Sequence, residues 1–458
     1  DLSSSASNSV EVNQEPLVPL MGHGDGEVLA HFCMTAIGIG YLFPISAVWA
    51  AYDYWKLLFP SINFEFGVTF VYQLGSLITV AALSAGSDFN MSRRIHSGFG
   101  GQFVSLLTIF CIRWAPTSLQ GGSLYFVLVA IVFLCSIATG FLDSALLALC
   151  SQYSPEMQGK LQLGIGFGTL VSLLYRDASK ATLSHDVQDA TSAFFVAALL
   201  TVLLCIWSYR RLMQLPVSRH ISPAVHAEKA QPLVPSRQTS GSPIPSLNRT
   251  ISGTPLAWSP KPLVQQLADE EDLDEDPTEA DPRYGELSRV FLKVWVNHLA
   301  VFFNLALTTT CYPGLITSIP CRDFHYLRAN SWFQTLLLTV FTVSDVAARF
   351  FTQHRLGITH ANIMRTVVVR FAVVPLMLFC IKSSYSHDLI SVAVVSAFGA
   401  LNGWCVSIAL IVVNEVPRLS FVQRATAGRL SALAANGGLF AGAMIAIILD
   451  RVFALGSA

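Results

Sequence analysis

Two opposite charges lie one helical turn apart inside a stretch that is otherwise apolar enough to cross a bilayer. Asp345 and Arg349 occur in WFQTLLLTVFTVSDVAARFF, residues 332–351. Residues four apart share one face of an α-helix, and Leu338 and Thr342 continue that face. Ionisable groups are costly in hydrocarbon and usually face a bundle interior or a wet cavity. The spacing therefore predicts either a charged pair that holds neighbouring helices together or part of a substrate or ion pathway.

A second carboxylate, Asp143, lies in ATGFLDSALLAL, well away from either end of its apolar run. If the two halves of the chain face each other, as in transporters with a midplane site, Asp143 and Asp345 are expected to border one cavity. Arg370 in VVVRFAVVPLML and Asn402 in AFGALNGWCVS also have apolar neighbours. Both suit hydrogen bonds between helices, which is the role we favour for Asn402.

Three tryptophans offer rings for stacking on a planar ligand: Trp49, Trp295 and Trp404. Tryptophan near the end of a membrane span is more often an interface anchor. Both roles stay open from the sequence, and Trp49 and Leu42 are candidates for a cavity wall.

The composition places the chain among polytopic membrane proteins of the all-α class. Of its 458 residues, 53% are hydrophobic and 12% charged, against roughly a quarter charged in soluble domains. The net charge of −1 and the lack of a basic stripe argue against nucleic-acid binding. No Walker A, GxSxG, HExxH or dinucleotide motif occurs, and the cysteines show no CxxC spacing. We therefore expect no enzyme, catalytic residue, metal or cofactor, and movement of a solute along a gradient, with or without a coupled ion.

Two helical halves are separated by a polar segment. Residues 1–27 are predicted to be a disordered tail and residues 214–285 a disordered linker with the acidic run ADEEDLDEDPTEAD. Residues 28–213 and 286–458 then form an N-terminal and a C-terminal bundle. Apolar runs predict six spans in the first bundle and five in the second, eleven in all. The predicted spans are 28–51, 66–85, 98–116, 122–150, 161–175, 191–213, 289–313, 332–351, 364–381, 389–413 and 426–450.

Lysine and arginine in the short loops are more numerous on the side of the linker. This bias predicts that the N-terminus and the linker are cytoplasmic. The two sequons, which begin at Asn90 and Asn248, then face the cytosol and stay unglycosylated.

The second half carries motifs that resemble the equilibrative nucleoside transporters. Their eighth helix has Asp-x-x-Gly-Arg, which is similar to Asp345 through Arg349 with alanine in place of glycine. Their ninth has an arginine followed four residues later by Pro-Leu, similar to Arg370, Pro375 and Leu376. Further similarities lie in the tenth and eleventh helices: Leu401, Asn402, Gly403 and Trp404, then Ala427, Gly428, Gly437, Gly438 and Gly442.

The first half resembles the family less closely. Gly38, Gly40 and Pro44 match the pattern Gly-x-Gly-x-Leu-Leu-Pro of its first helix, in which Pro44 opens the backbone ladder. Asp143 aligns with a glutamine that contacts nucleoside in relatives. A carboxylate at that place can take up a proton, which a glutamine cannot.

The resemblance implies a major-facilitator-like fold of six and five helices that rock around a central site. It implies that Asp345 and Arg349 bind the sugar hydroxyls or the base, with Asp143 contributing from the opposite bundle. The expected function is facilitative, alternating-access transport of nucleosides, with nucleobases as candidate further substrates and protons as a candidate coupling ion. The plasma membrane is the family's default location, and an internal membrane is the alternative.

Two other functions stay open from the sequence. One is a proton-coupled carrier of another small polar solute. The other is a membrane scaffold or receptor that acts through the acidic linker.

Overall fold

The chain is all-helical in the residues that its structure describes. The computed structural model describes residues 25–60, 62, 64–85, 90–112, 122–183, 187–218, 282–328, 332–383, 387–417, 419 and 421–453. These residues contain no β-strand. The α-helices are α1 Asp25–Ala50, α2 Tyr52–Leu58, α3 Phe64–Ala85, α4 Met91–Cys111, α5 Gly122–Ser151, α6 Pro155–Thr182, α7 Val187–Gln214, α8 Pro282–Cys311, α9 Gly314–Thr317, α10 Trp332–Phe350, α11 Met364–Phe371, α12 Val373–Lys382, α13 Asp388–Val413 and α14 Phe421–Phe453.

Nine helical segments in the described part of the chain are long and apolar enough to cross a membrane. The all-α membrane class predicted from the sequence is confirmed. Helices α4 and α6 are also long but more polar, and they are not among the nine. The predicted number of eleven crossings therefore stays a prediction.

Helix α6 differs most from its predicted span, 161–175. It runs from Pro155, which suits the first turn of a helix, to Thr182. The sequence prediction stopped where polar residues begin, but Gln158 and Arg176 are buried inside the protein. Polar side chains that face other helices shorten an apolar run without shortening the helix.

Two prolines affect their helices differently. The predicted span 364–381 is divided at Ala372 into α11 and α12. Pro375 removes a backbone donor, and its ring opposes the carbonyl four residues earlier, at Phe371, where α11 ends. Pro44 lies inside α1, which continues through it to Ala50. Proline within a membrane helix is tolerated where neighbouring groups satisfy the freed backbone.

Close helix contacts depend on glycine at two crossings. Helix α1 packs along α6, and a Cβ atom on Gly38 would lie 2.9 Å from the Cα atom of Gly164. Helix α10 packs along α13, and a Cβ atom on Gly403 would lie 2.0 Å from the carbonyl oxygen of Asp345. Small residues let membrane helices approach this closely. The second crossing brings Asn402, the neighbour of Gly403, next to Asp345.

The two sequence halves also contact each other directly. Helix α14 packs against α3 and α5, and α6 packs against α10 and α13. All of these helices belong to one compact unit. Residues 1–24 and 219–281, where the tail and the linker are predicted, lie outside the described residues. The division into two bundles and a linker stays a prediction.

Candidate functional site

A central cavity lies between the two sequence halves. It is lined by residues of α1, α3, α5 and α6 on one side and of α8, α10, α13 and α14 on the other. The empty space within it, part of which is open to solvent, is about 1060 Å³. Its lining combines apolar side chains with a few polar and charged groups, as sites for small molecules do. Of the residues predicted to bind substrate, six line the cavity: Leu42, Trp49, Asp143, Thr342, Asp345 and Arg349.

Asp345 and Arg349 form the ion pair that their spacing predicts. The Nε atom of Arg349 donates to Oδ2 of Asp345 at 2.8 Å, and both side chains are about 6% exposed. One helical turn of α10 holds the two groups together. Because each charge neutralises the other, neither is left as an isolated ion in the protein interior.

Arg349 also reaches the opposite half of the chain. Its terminal nitrogen donates to the backbone carbonyl of Gln162 in α6 at 2.7 Å and lies 3.3 Å from the Ser407 hydroxyl of α13. Gly166, one turn further along α6, leaves room for the guanidinium. A Cβ atom there would lie 2.8 Å from Cδ and Nε of Arg349.

Asp345 is held from its other side by Asn402. The amide nitrogen of Asn402 donates to Oδ1 of Asp345 at 2.6 Å, and its oxygen accepts from Arg370 at 2.8 Å and from Thr308 at 2.5 Å. Asn402 therefore joins α10, α11 and α8 and also lines the cavity. It makes the interhelical hydrogen bonds that the sequence favours.

Arg370 is fully buried behind the cavity wall. Its guanidinium donates to the backbone carbonyl of Asn304 at 2.6 Å and to the Thr308 hydroxyl at 2.9 Å. These contacts, with the one to Asn402, tie α11 to α8 and α13. The arrangement supports the wall from behind and gives Arg370 no place in the lining.

Asp143 lies on the wall formed by the first half and has uncharged partners. Its Oδ2 atom accepts from the Asn436 amide of α14 at 2.6 Å and lies 3.1 Å from the Ser76 hydroxyl of α3. Its Oδ1 atom is buried and has no hydrogen bond of good geometry, although the Tyr41 side chain faces the carboxylate. Asp143 and Asp345 thus border one cavity, as the sequence predicts for facing halves.

Aromatic rings form another part of the wall. Trp49 donates to the Thr69 hydroxyl at 3.1 Å and meets Tyr72 and Tyr312 edge to face, with ring centroids 6.3 and 5.8 Å away. Tyr312 in turn stacks on Phe341 at 4.7 Å. These rings give a flat ligand an apolar surface beside the charged groups.

Several of the predicted residues lie elsewhere. Leu338 is 2% exposed in the core, where its carbonyl accepts from the Thr342 hydroxyl, and it does not line the cavity. Pro44 is also absent from the lining. Trp295 is 46% exposed, and Trp404 donates to the carbonyl of His354. Only Trp49 of the three tryptophans is placed for stacking on a ligand in the cavity.

Sequence reasoning missed many of the polar lining residues, among them Tyr41, Gln73, Ser76, Gln162 and Asn436. Two of them have buried atoms without a hydrogen-bond partner, Oε1 of Gln73 and Nε2 of Gln162. Buried polar atoms normally have partners, so these atoms mark places for a ligand or water. A signal was present for Tyr41, Gln73, Ser76 and Asn436, because each lies within a largely apolar helix, as Asn402 does.

One group of metal-ligating residue types was found in the described part of the chain. Glu27, His31 and Glu156 lie at the starts of α1 and α6, outside the cavity lining. All three are partly or fully exposed, and exposed carboxylates often cluster without an ion. The cavity itself presents amides, hydroxyls and one ion pair.

A second ion pair lies outside the membrane-spanning segments. Arg355, after α10, donates to both carboxylate oxygens of Glu415, after α13. These hydrogen bonds raise the pKa of the Arg355 guanidinium. The two side chains are 35% and 28% exposed, so this pair is far more solvated than Asp345 and Arg349.

Large apolar side chains cover the outside of several helices. Leu200, Leu204 and Trp207 on α7 are each more than half exposed. Such a surface needs an apolar environment, which lipid supplies. Long apolar helices around a polar central cavity define a multi-pass membrane transporter.

Comparisons with known proteins agree with this class. The fold is similar to that of the proton:xylose symporter XylE bound to 6-bromo-6-deoxy-D-glucose, with a TM-score of 0.61, 11% identity, and coverage of 93% of this chain and 90% of that one. A partially occluded inward-open XylE from E. coli gives a TM-score of 0.54, at 10% identity, over 94% of this chain and 98% of that one. The fold is therefore that of the major facilitator superfamily.

The chain belongs to the nucleoside transporter family. The family model described as "Nucleoside transporter" matches residues 128–451, well over half of the sequence. Equilibrative nucleotide transporter 8 of Arabidopsis thaliana is 22% identical, over 90% of this chain and 94% of that protein. Nucleoside transporter 2 of Leishmania donovani is 19% identical, over 79% of this chain and 78% of that protein. The resemblance inferred from the motifs is confirmed.

Proposed function

We propose that this transporter carries nucleosides, and nucleobases as additional substrates, by alternating access around the central cavity. The observation that carries the proposal is the pairing of two polar walls from opposite halves of the chain. Asp345 and Arg349 face the cavity from the second half, and Asp143 faces it from the first. A substrate that bonds to both walls favours the closure of the halves around it.

The lining matches the chemistry of a nucleoside. Ribose hydroxyls can donate to Asp345 and accept from Arg349, and hydrogen bonds to charged groups contribute roughly 1.5–3 kcal/mol each. The unpaired atoms of Gln73 and Gln162 offer a base one acceptor and one donor. Trp49 provides a ring beside them. Thr342 and Leu42 complete the wall in this proposal, and Leu338 supports it from the core.

The charge of the lining favours nucleosides over phosphorylated compounds. Arg349 is the only cation among the described residues that line the cavity, and it is already paired with Asp345. A phosphate group entering the cavity would therefore meet two carboxylates and no free positive charge. We expect nucleotides to be excluded.

A proton is the proposed coupling ion, and Asp143 its site. Among the described residues, no cation is hydrogen-bonded to this carboxylate. A buried carboxylate without a cation favours the uptake of a proton, whereas a glutamine at the same position offers none. If Asp143→Asn transports with an unchanged pH profile, this part of the proposal is wrong.

The proposed location is the plasma membrane, with the N-terminus and the linker in the cytoplasm. Support comes from the lysine and arginine bias of the loops. Protease accessibility of a tag placed in residues 225–280, in intact and in permeabilised cells, tests the orientation. Fluorescence of the tagged chain distinguishes the plasma membrane from an internal one.

The experiment that tests the function is uptake of radiolabelled adenosine, inosine, uridine and hypoxanthine into liposomes containing the purified chain. We expect saturable uptake that is lost in Asp345→Ala and Arg349→Ala while folded protein is retained. Absence of uptake by the folded unmutated chain would favour a carrier of another polar solute. Deletion of residues 225–280 should spare uptake, because transport does not need the linker. The same deletion would abolish the function of a scaffold that acts through the linker.

A further inference from the structure

Three polar side chains from both halves of the chain meet beside the cavity. Ser76 in α3 and Asp143 in α5 belong to the first half, and Asn436 in α14 belongs to the second. The Ser76 hydroxyl lies 2.6 Å from Oδ1 of Asn436 and 3.1 Å from Oδ2 of Asp143, and the Asn436 amide lies 2.6 Å from the same Oδ2. We call Ser76, Asp143 and Asn436 the polar triad. All three residues are at most 3% exposed.

The orientation of the Asn436 amide follows from its own helix. Its nitrogen lies 2.9 Å from the carbonyl oxygen of Ala432, which can only accept a hydrogen bond. The nitrogen therefore donates to Ala432 and to Oδ2 of Asp143. The amide oxygen must then face Ser76, and it can only accept.

The polar triad has one hydrogen too few for its three contacts when Asp143 is ionised. Ser76 has one hydroxyl proton, and the short contact to the Asn436 oxygen requires it. The contact between Ser76 and Asp143 then joins two acceptors if the carboxylate is ionised. A proton on Oδ2 of Asp143 removes this conflict, because it donates to the Ser76 oxygen and closes a ring of three hydrogen bonds.

Among the described residues, the surroundings of Asp143 supply no positive charge in place of that proton. The titratable groups that face it are Tyr41 from α1 and Tyr72 from α3. Helix α4 presents Gln102, which donates to Thr139, one turn before Asp143. Helix α14 presents Asn436, and α6 presents Gln162 to the same cavity. The charged pair Asp345 and Arg349 lines the opposite wall and is neutral as a whole.

We propose that Ser76 and Asn436 are positioning residues that hold a proton on Asp143 and make the contact of α14 with α3 and α5 depend on it. With the proton bound, the ring joins the two halves of the chain. Without it, one of the three contacts becomes repulsive and the halves separate more readily. The proton site follows from the geometry of the polar triad, whereas its consequence for transport rests on the proposed function.

Infrared difference spectroscopy of the purified chain tests the proton site without any substrate. We expect a protonated carboxyl band that decreases as pH rises and is absent in Asp143→Asn. Ser76→Ala should move the midpoint of this band about one pH unit lower, because the protonated carboxyl loses the acceptor of its hydrogen bond. Ser76→Thr keeps the hydroxyl and should restore the midpoint.

The matched control is Ser208→Ala in α7, another buried serine, whose hydroxyl donates to the carbonyl of Leu204 in its own helix. It should leave the band unchanged. The inference is overturned if no band disappears in Asp143→Asn, or if the midpoint stays the same in Ser76→Ala while this variant is folded.

The pH profile of uptake tests the consequence. We expect Ser76→Ala to shift the profile in parallel with its infrared midpoint, which a merely structural defect would not do. Nucleoside uptake by the unmutated chain with a flat pH profile would overturn the link between the proton and the helix contact and leave the proposed function intact. Lack of all uptake beside the expected infrared shifts would instead contradict the proposed function and support the proton site.

Discussion

The two carboxylates of the cavity, Asp345 and Asp143, have different hydrogen-bond partners. Asp345 has an arginine on one oxygen and an asparagine amide on the other, so that both oxygens are bonded. Asp143 has no cationic partner in the described structure, and its Oδ1 atom lacks a hydrogen bond of good geometry. A carboxylate within a membrane span thus takes its role from its partners. We propose that Asp345 is a fixed charge to which a substrate binds and that Asp143 gains and loses a proton.

The largest effect is expected from a substitution that weakens the ion pair of Asp345 and Arg349 but keeps its charges. In Arg349→Lys, an ammonium group replaces a planar guanidinium that contacts Asp345, Gln162 and Ser407 at once. With roughly 1.5–3 kcal/mol for each hydrogen bond to a charged group, we expect nucleoside uptake to fall at least about tenfold. Initial uptake rates in liposomes over a range of substrate concentrations measure this decrease.

Arg355→Lys is the matched control for that substitution, because it makes the same change in the solvated pair with Glu415. Its uptake should equal that of the unmutated chain. Equal losses in the two variants would show that the position of Arg349 in the cavity has no special importance.

A smaller effect is expected from crowding the same guanidinium. The added methyl group of Gly166→Ala would lie 2.8 Å from Arg349, so the side chain must shift within the cavity. We expect KM for nucleoside uptake to rise roughly threefold to tenfold, because one hydrogen bond of Arg349 is lengthened.

Gly159→Ala makes the same change on α6, where the nearest atom to the new methyl group is 4.0 Å away. It should leave KM unchanged. If Gly166→Ala also leaves KM unchanged, Arg349 does not need its observed position to bind substrate.

The smallest effect is expected in the exposed pair. Glu415→Gln removes a partner from Arg355, and pairs this solvated contribute about 0–1 kcal/mol to the free energy of unfolding. Glu415 raises the pKa of the Arg355 guanidinium, so the stabilisation is present below that pKa and is lost only as pH rises through it, in strong alkali. The small decrease in thermal midpoint should therefore be equal at pH 6 and pH 8. A larger decrease at one of these values would contradict this account.

The sequence predicted local features of the site better than its long-range contacts. The spacing of Asp345 and Arg349 placed them on one face because helical periodicity is a local property. Ser76 and Asn436 were not identified from the sequence, because they are 360 positions apart and meet only in the folded chain. The extent of α6 was also underestimated, since its polar side chains are buried against other helices.

The comparison of Asp345→Asn with Asp143→Asn tests the central claim most directly, because the same substitution is made in both carboxylates. Adenosine uptake into liposomes would be measured from about pH 5.5 to pH 8 for both variants and the unmutated chain. We expect uptake by the unmutated chain to fall as pH rises and Asp345→Asn to lose uptake at every pH. Asp143→Asn should keep uptake and lose the pH dependence, because an amide can still hydrogen-bond but cannot gain or lose a proton in this pH range. Retained uptake in Asp345→Asn, or an unchanged pH profile in Asp143→Asn, would contradict the division of roles between the two carboxylates.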